Sequence, residues 1–503
     1  MRKLSVFAGM LMAATVVARA EVIYVDADAP PGGNGQSWLA AYDNLQDALR
    51  SARPGDDIWI AEGTYYPTSK RNRSKSFELP DGVALYGGFA GVEERREQRN
   101  WEEHETILSG NIGDPESALD NSYRILIAEN LGPDTLVDGL TITEAHNERI
   151  TSPDGRAGGI LLEQSNLAIA NCRVVDNFAV GGGGLWNDGG SPTIDNTVFD
   201  SNERNAISSP FGGDLTITRC TFMGSRSSRG AAIYMHFTPH NSVIRDCVFR
   251  RNRASGRGGA YYGAGDPRFE NCLFYKNHAR SFGGGVYVFS GDPTIVNCTF
   301  VANSTDNQGG GLCIGSDRSS VRVTNAVFWG NTARLGDKEN QQIGWRSPII
   351  NYSCVEGWTG KHGGVGNHGE DPLFLDPDKG NLRLRAGSPC IDKGDNEAVT
   401  EPKDLDGNPR ILHETVDMGV YESVCDDLSG LELTCSDTGK LKAKLTTSLP
   451  KGSTVTLVSS AGKAKPAGIN KRGKGTAKWR NQTGQIEICP AACDGPCQRV
   501  ECP

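Results

Sequence analysis

Long apolar runs are scarce in this 503-residue chain. Hydrophobic residues make up 37% of it, and the only extended apolar segment is residues 4–17. That segment follows Arg2 and Lys3 and precedes Ala18-Arg19-Ala20. A positive start, a short apolar stretch and an A-x-A site are the layout of an export leader, with the mature chain expected from Glu21. A membrane anchor is the weaker reading, because a span needs ~20 apolar residues. No cysteine stands at the cleavage site, so a lipoprotein is not expected. The mature protein is therefore expected to be secreted or held at the cell surface, with no transmembrane segment. An excess of basic charge is also missing. The formal net charge is −9, and a nucleic-acid partner is not expected. Residues 424–503 carry 12 Lys+Arg against 7 Asp+Glu, and the leader carries three cations and no acid, so residues 21–423 hold −17. The 8 His are scattered without a repeated pair. No metal site is expected.

Glycine, by contrast, is abundant, 63 of 503 residues, clustered in runs and without a collagen period. Between the runs one phrase recurs. It reads Ile169-Ala-Asn171-Cys172-Arg-Val174, then Ile194-Asp-Asn196-Thr197-Val-Phe199, Ile217-Thr-Arg219-Cys220-Thr-Phe222 and Ile244-Arg-Asp246-Cys247-Val-Phe249. It continues as Phe269-Glu-Asn271-Cys272-Leu-Phe274, Ile295-Val-Asn297-Cys298-Thr-Phe300 and Val323-Thr-Asn325-Ala326-Val-Phe328. The small residue advances by 25, 23, 27, 25, 26 and 28 positions. Helical repeats have longer periods and helix formers; these stretches are short, β-branched and bounded by Gly and Asn. One such coil cannot bury its inner face, but coils stacked at ~4.8 Å can. The fold class expected is all-β, a right-handed parallel β-helix.

In that register the Ile, Cys and Phe positions point inward, and each buried Phe contributes roughly 2–3 kcal/mol. Two Asn columns, 171/196/271/297/325 and 177/202/252/277/303/331, are expected at turns. There Asn tolerates a left-handed backbone and its amide can bond to the next rung. Glycines before Leu185, Ala260, Val286 and Leu312 supply the third corner. Ahead of the coils, Asn44-Leu45-Gln-Asp-Ala48-Leu49 reads as a short amphipathic helix capping the open end of the solenoid. The expected organisation is a leader at 1–20, cap and first coils at 21–129, repeats at 130–350, a C-terminal cap at 351–423 and a Cys-rich β module at 424–503.

Several motifs resemble a known group. Tyr24-Val25-Asp26, Ser37-Trp38, Gly63-Thr64-Tyr65 and Leu85-Tyr86-Gly87-Gly88-Phe89 are similar to entry coils of bacterial secreted β-helix proteins. Asp371-Pro-Leu-Phe374, Gly387-Ser-Pro-Cys390-Ile-Asp392, Asp404-Leu-Asp-Gly407 and Asp417-Met-Gly419 resemble their exit segment. Together they resemble the choice-of-anchor Q type within the pectate-lyase-like superfamily, over roughly residues 22–423. The Phe-x-x-Asn repeats also resemble chlamydial polymorphic outer-membrane proteins. The resemblance implies a surface or polysaccharide-related role; a short Cys-rich end in place of a barrel does not support self-export.

Six cysteines fall in the C-terminal module: Cys425, Cys435, Cys489, Cys493, Cys497 and Cys502. In an exported chain an even count favours disulfides, with 15 possible connectivities. Zinc is disfavoured by the lack of paired C-x2-C knuckles and of any His in that segment. The repeat cysteines, exchanged for Thr197 and Ala326 in other coils, read as small core fillers.

Pectate-lyase-like folds often cut acidic polysaccharides, which needs a base and a cation, commonly Ca2+. The polygalacturonase-like motif set is missing; the nearest match is Asn367-His368-Gly369. Asp404-Leu-Asp406-Gly407-Asn408 lacks the EF-hand spacing and reads as a hairpin turn. Charges do gather on the middle coils, and Arg245, Arg251, Glu270 and Lys276 are the candidates if the protein is a lyase. Arg245 and Glu270 share one repeat position, where a solvated ladder worth ~0–1 kcal/mol per pair is the expected role. Trp186, Tyr234, Tyr261 and Tyr287 follow the apolar corner residue, so alternation turns them outward as an aromatic column able to stack on sugar rings. The favoured reading is a non-catalytic protein binding a polysaccharide or cell-surface glycan, without a cofactor. A polysaccharide lyase or hydrolase, with Ca2+ possible, is second, and a purely structural surface component is third.

Overall fold

A computed structural model describes residues 21–503, apart from 151–153, 237–240, 413, 424–427, 437–439, 448–453, 460–463, 469, 471–473, 480–483, 491–497 and 503. The leader lies outside the described residues. The repeats wind into a parallel β-solenoid whose coils contribute strands to a 12-stranded, an 11-stranded and a 10-stranded sheet, here the first, second and third. A fourth, five-stranded sheet joins the middle coils. One coil shows the order: Tyr261–Ala264 in the third sheet, Arg268–Glu270 in the first, Leu273–Tyr275 in the second and His278–Ala279 in the fourth. Each strand pairs in parallel with its equivalent one coil on, as in Phe269↔Ile295 and Phe274↔Phe300.

The inner columns form as the repeat dictates. Phe199, Phe222, Phe249, Phe274, Phe300 and Phe328 are buried and stack ring on ring, with centroids 5.1, 4.9, 4.7, 4.5 and 4.5 Å apart. Cys172, Cys220, Cys247, Cys272 and Cys298 are buried free thiols in the expected column. The first Asn column takes the left-handed conformation, with φ from 44° to 55° at Asn171, Asn196, Asn271, Asn297 and Asn325. The second behaves differently. There the left-handed residue is the one before, as at Arg251 (φ 57°), Lys276 (φ 54°) and Ala302 (φ 54°). The Asn itself turns inward and is fully buried. Asn277 Nδ2 donates to Asn303 Oδ1 at 2.9 Å and to the Phe249 carbonyl at 2.9 Å, and Asn303 repeats this with Asn331 and Phe274. These buried amides satisfy backbone carbonyls freed at the corner, which is why a polar residue is stable there. Gln342 ends the ladder by accepting from Asn331 at 2.7 Å.

The helix Leu45–Ser51 forms with Asn44 as its N-cap, accepting from the Asp47 amide at 3.0 Å. It buries Leu45, Ala48 and Leu49 against Ile23, Val25 and Ile58 at the N-terminal end of the core. At the other end the segment expected as a cap does more than close the solenoid. After the last coil strand, Cys354–Val355, the chain turns back as a strap along the outside of the second sheet. Phe374, Leu382, Leu384, Met418, Val420 and Tyr421 pack on Leu273, Tyr275, Val301 and Val327. Val420 N donates to Thr299 Oγ1 at 3.1 Å, and Tyr275 Oη to the Pro377 carbonyl at 2.7 Å. The outward face of the second sheet is apolar at these positions and must be covered, which the strap does. Beyond it, strands including Leu441–Thr447 and Lys474–Trp479 form antiparallel sheets, with Leu441, Leu445 and Trp479 in a separate small core. No helix among the described residues is long and apolar enough to cross a membrane.

Candidate functional site

The four lyase candidates separate into two places on the same two coils. Arg245 and Glu270 end neighbouring strands of the first sheet, in register as expected. They are not a solvated ladder. Glu270 is 3% exposed. Its carboxylate receives Arg245 Nε at 3.0 Å, Thr400 Oγ1 at 2.7 Å and a close contact from Arg268. Arg245 also pairs with Glu401 at 3.0 Å, and Asn271 Nδ2 donates to the Lys403 carbonyl at 2.8 Å. The strap thus covers Glu270 and leaves Arg245 half-buried. Burial works against the Glu270 carboxylate. Hydrogen bonds from Arg268 and Thr400, with the charges of Arg268 and Arg245, outweigh it and hold the group below its ordinary value. A carboxylate so engaged and so buried is an anchor for the strap and is poorly placed to take a substrate proton.

Arg251 and Lys276 lie one corner further along each coil, at the left-handed turn after the second sheet. Two residues later Arg253, His278 and Ser304 follow in register on the fourth sheet. Together with Ala302 they line an open notch of about 420 Å³. Arg251 and Arg253 are exposed, and neither makes an ion pair among the described residues. Lys276 Nζ lies 4.8 Å from the Tyr275 ring centre and donates to the Asp378 carbonyl of the strap at 2.8 Å. His278 Nδ1 is 3.0 Å from Ser304 Oγ. The left-handed corner at Arg251 and Lys276 turns the chain outward, and the coil repeat sets successive backbones ~4.8 Å apart, so the cations share one patch of surface. Such an arrangement is costly alone and is relieved by an anion. Its donors do not fit Ca2+, which takes oxygen ligands.

The aromatic column departs from the expected register at one residue, Tyr261. Ile233 pairs with Tyr261, and Tyr234 with Tyr262, which in turn pairs with Tyr287. Tyr261 therefore points inward, 1% exposed, edge-on to Phe269 at 5.0 Å. The corner is three small residues long, Gly258-Gly259-Ala260, so Ala260 matches Gly285 rather than Val286. Tyr262 takes the outward seat, a residue the sequence reading missed although the three-residue corner at 283–285 shows the register. The outer column is Trp186, Ser208, Tyr234, Tyr262, Tyr287 and Cys313. Its ring faces are spent on each other. Tyr234–Tyr262 and Tyr262–Tyr287 stack at 5.6 and 5.3 Å. Arg229 and Arg257 cover the rings, Arg257 donating to Tyr287 Oη at 3.2 Å. Trp186 lies under Arg156 and Phe211. These aromatics offer no open platform for a sugar.

A larger groove, about 1080 Å³, borders the helix Leu45–Ser51, with acids and bases mixed. Its Gln46 is committed to the Pro67 and Ser76 carbonyls at 3.0 and 2.9 Å. One group of soft donor atoms, Cys354, His368 and Cys390, comes together within 4.8 Å. It joins separate segments, and no spacing in the sequence announces it. Of the C-terminal cysteines, Cys435 ends the strand Leu428–Cys435. The side chains of Cys425, Cys489, Cys493, Cys497 and Cys502 lie outside the described residues.

Residues 182–337 match the family described as the right handed beta helix region. The solenoid of about eleven coils is accordingly a right-handed parallel β-helix. Among solved structures it is similar to the pectate lyase Pel9A, with a TM-score of 0.53 and 15% identity over 81% of this chain and 97% of that one. More distant are a rhamnogalacturonan lyase (TM-score 0.39, 12% identity, 64% and 84% covered) and the Dettilon tailspike protein (0.37, 11%, 93% and 90%). No curated protein matches the sequence. At these identities the likeness is one of fold.

Proposed function

We propose that this is an exported, non-catalytic β-helix protein that holds an anionic polysaccharide in the notch of Arg251, Arg253, Lys276 and His278. The observation that carries the reading is the gathering of Arg251, Arg253 and Lys276 on two adjoining coils, none of them ion-paired among the described residues, on a body whose residues 21–423 hold −17. On an acidic body, a cationic notch favours that place for a polyanion. That a pectate lyase is built on this architecture supports a polysaccharide as the ligand class. Export rests on the leader, and the C-terminal cysteines are proposed to pair as disulfides in the compartment it leads to.

The test is retention of the leaderless full chain on immobilised acidic and neutral polysaccharides across rising salt. Retention on the acidic matrix alone, lost as screening shortens from ~30 Å at 0.01 M to ~3 Å at 1 M, is the expected result. Equal retention on a neutral matrix overturns it. A lyase is the second reading, because Arg251 and Lys276 share the notch with an imidazole, His278, a side chain able to accept a proton. Unsaturated sugar ends released during the same experiment would establish that reading and displace the first.

A further inference from the structure

The buried thiols of the solenoid are of two kinds. In the ladder each sulfur rests on a carbonyl of its own strand, as Cys247 does on Arg245 at 3.0 Å and Cys298 on Val296 at 3.2 Å. Cys354 and Cys390 are placed otherwise. Cys354 opens the last strand of the second sheet, and Cys390 lies in the strap that packs over it, in one apolar cluster with Phe374 and Met418. His368, bridged to Cys354 through the backbone, brings its ring to the same point, Nε2 4.0 Å from Cys390 Sγ.

Hydrogen bonding assigns the protons. The Glu370 amide donates to His368 Nδ1 at 3.3 Å, so Nδ1 carries the lone pair and Nε2 carries the hydrogen, directed at Cys390. The Cys354 sulfur lies 3.2 Å from the Glu370 carbonyl, so it is the sulfur that keeps its proton. In this tautomer Nε2 turns a hydrogen towards the sulfurs, and a metal ion would have to displace that hydrogen to bind there. What faces them is a donor that stabilises a thiolate.

We propose that Cys354 and Cys390 are a redox pair that closes into a disulfide joining the last coil to the strap, with His368 as the positioning residue that sets Cys390 as the attacking sulfur. The Cys390 thiol is held low, first by its contact with Cys354 and then by His368, against the opposing effect of burial; Cys354 is pushed up. The oxidant is a small-molecule disulfide such as oxidised glutathione. The Cys390 thiolate attacks one of its sulfurs, forming a mixed disulfide and expelling one thiolate. Cys354 then gives its proton to water and attacks Cys390 Sγ, expelling the second thiolate. Two protein thiols are oxidised, and one external disulfide is reduced to two thiols. Both cysteines are fully buried, so exchange belongs to the moment of seating, when His368 has met Cys390 and the oxidant can still reach them, and the closed bond is then shielded from reductant.

The experiment takes the leaderless full chain through urea unfolding and refolding in oxidised and in reduced glutathione, followed by alkylation, digestion and mass analysis. The oxidised sample is expected to yield one cross-linked peptide pair carrying Cys354 and Cys390, lighter by two hydrogens. Peptides carrying Cys172, Cys220, Cys247, Cys272 and Cys298 are expected alkylated in both samples. Separate alkylated Cys354 and Cys390 peptides after oxidative refolding overturn the proposal. So does stoichiometric zinc that protects both thiols until a chelator is added. For His368→Ala, closure is expected to slow several-fold at pH 7 and to match the parent above pH ~9, where thiols ionise unaided. Equal slowing at both pH values removes His368 from the assignment.

Discussion

Arg245 and Glu270 stand six residues before Arg251 and Lys276 on the same two coils, yet the two pairs have opposite fates. The first lies under the strap, bonded to Arg268, Thr400 and Glu401. The second lines an open notch at the next corner. The difference shows that on a solenoid, charge at a repeat position says little until the covering segment is known. Neutralised charges under a cover serve stability, and unpaired charges at an open corner remain available to a ligand.

The sharpest way to break the comparison is to cut the covered side. Glu270→Ala leaves Arg245 and Arg268 without their shared carboxylate at the edge of the strap. A loss of about 2–3 kcal/mol in unfolding free energy is expected by denaturant titration, with retention on acidic polysaccharide unchanged in the folded fraction. Loss of binding with unchanged stability would reverse the assignment of the two pairs. The open side gives the complementary result. Arg251→Ala with Arg253→Ala is expected to change stability by no more than about 0.5 kcal/mol. The same double variant is expected to weaken binding to acidic polysaccharide roughly tenfold at low salt, and to flatten its salt dependence.

Acidity should separate the two regions as well. Burial raises Asp417 to about 7, and Asp404 and Asp246 to about 6, all in or beneath the strap. In the unfolded chain these groups ionise near 4. Their folded values are higher, so the stability they contribute is complete below that point and declines as pH rises from about 4 towards 7. The fall in denaturation midpoint between pH 5 and pH 8 is expected to be larger for the parent than for Asp417→Asn, and equal falls would contradict the burial of that carboxylate. The smallest effect is expected at the aromatic column. Trp186→Ala should leave polysaccharide retention within about twofold, because Arg156 and Phe211 already cover the ring. A large loss there would return the binding site to the third sheet.

Much of the solenoid was legible because its information is local and repeated. The Ile, Cys and Phe columns follow from a step near 26 residues, and the helix at Leu45–Ser51 from its cap and apolar spacing. What escaped reading depended on contacts that do not repeat. Tyr261 and Tyr262 exchanged roles over a single corner residue, since a one-residue slip inverts every side chain of a strand. The second Asn column looked like a turn column, but the left-handed residue is its predecessor, which varies among Asp, Ser, Arg, Lys, Ala and Gly and so left no pattern. Residues 351–423 carry no internal repeat, and their path along the second sheet is set by Phe374, Leu382 and Val420 meeting residues more than fifty positions upstream. The candidate notch was half legible: Arg251 and Lys276 were identified, whereas Arg253 and His278 entered only with the fourth sheet.

The strap also changes the molecule as a mechanical object. Coils that touch only their neighbours peel from a free end one at a time under load. The strap contacts successive coils from Arg245 to Cys354, so those coils are bound in parallel rather than in series. A pulling force applied at the N-terminus should therefore unwind the early coils in small steps and then stall near residue 245. From there, a block of coils would have to yield together.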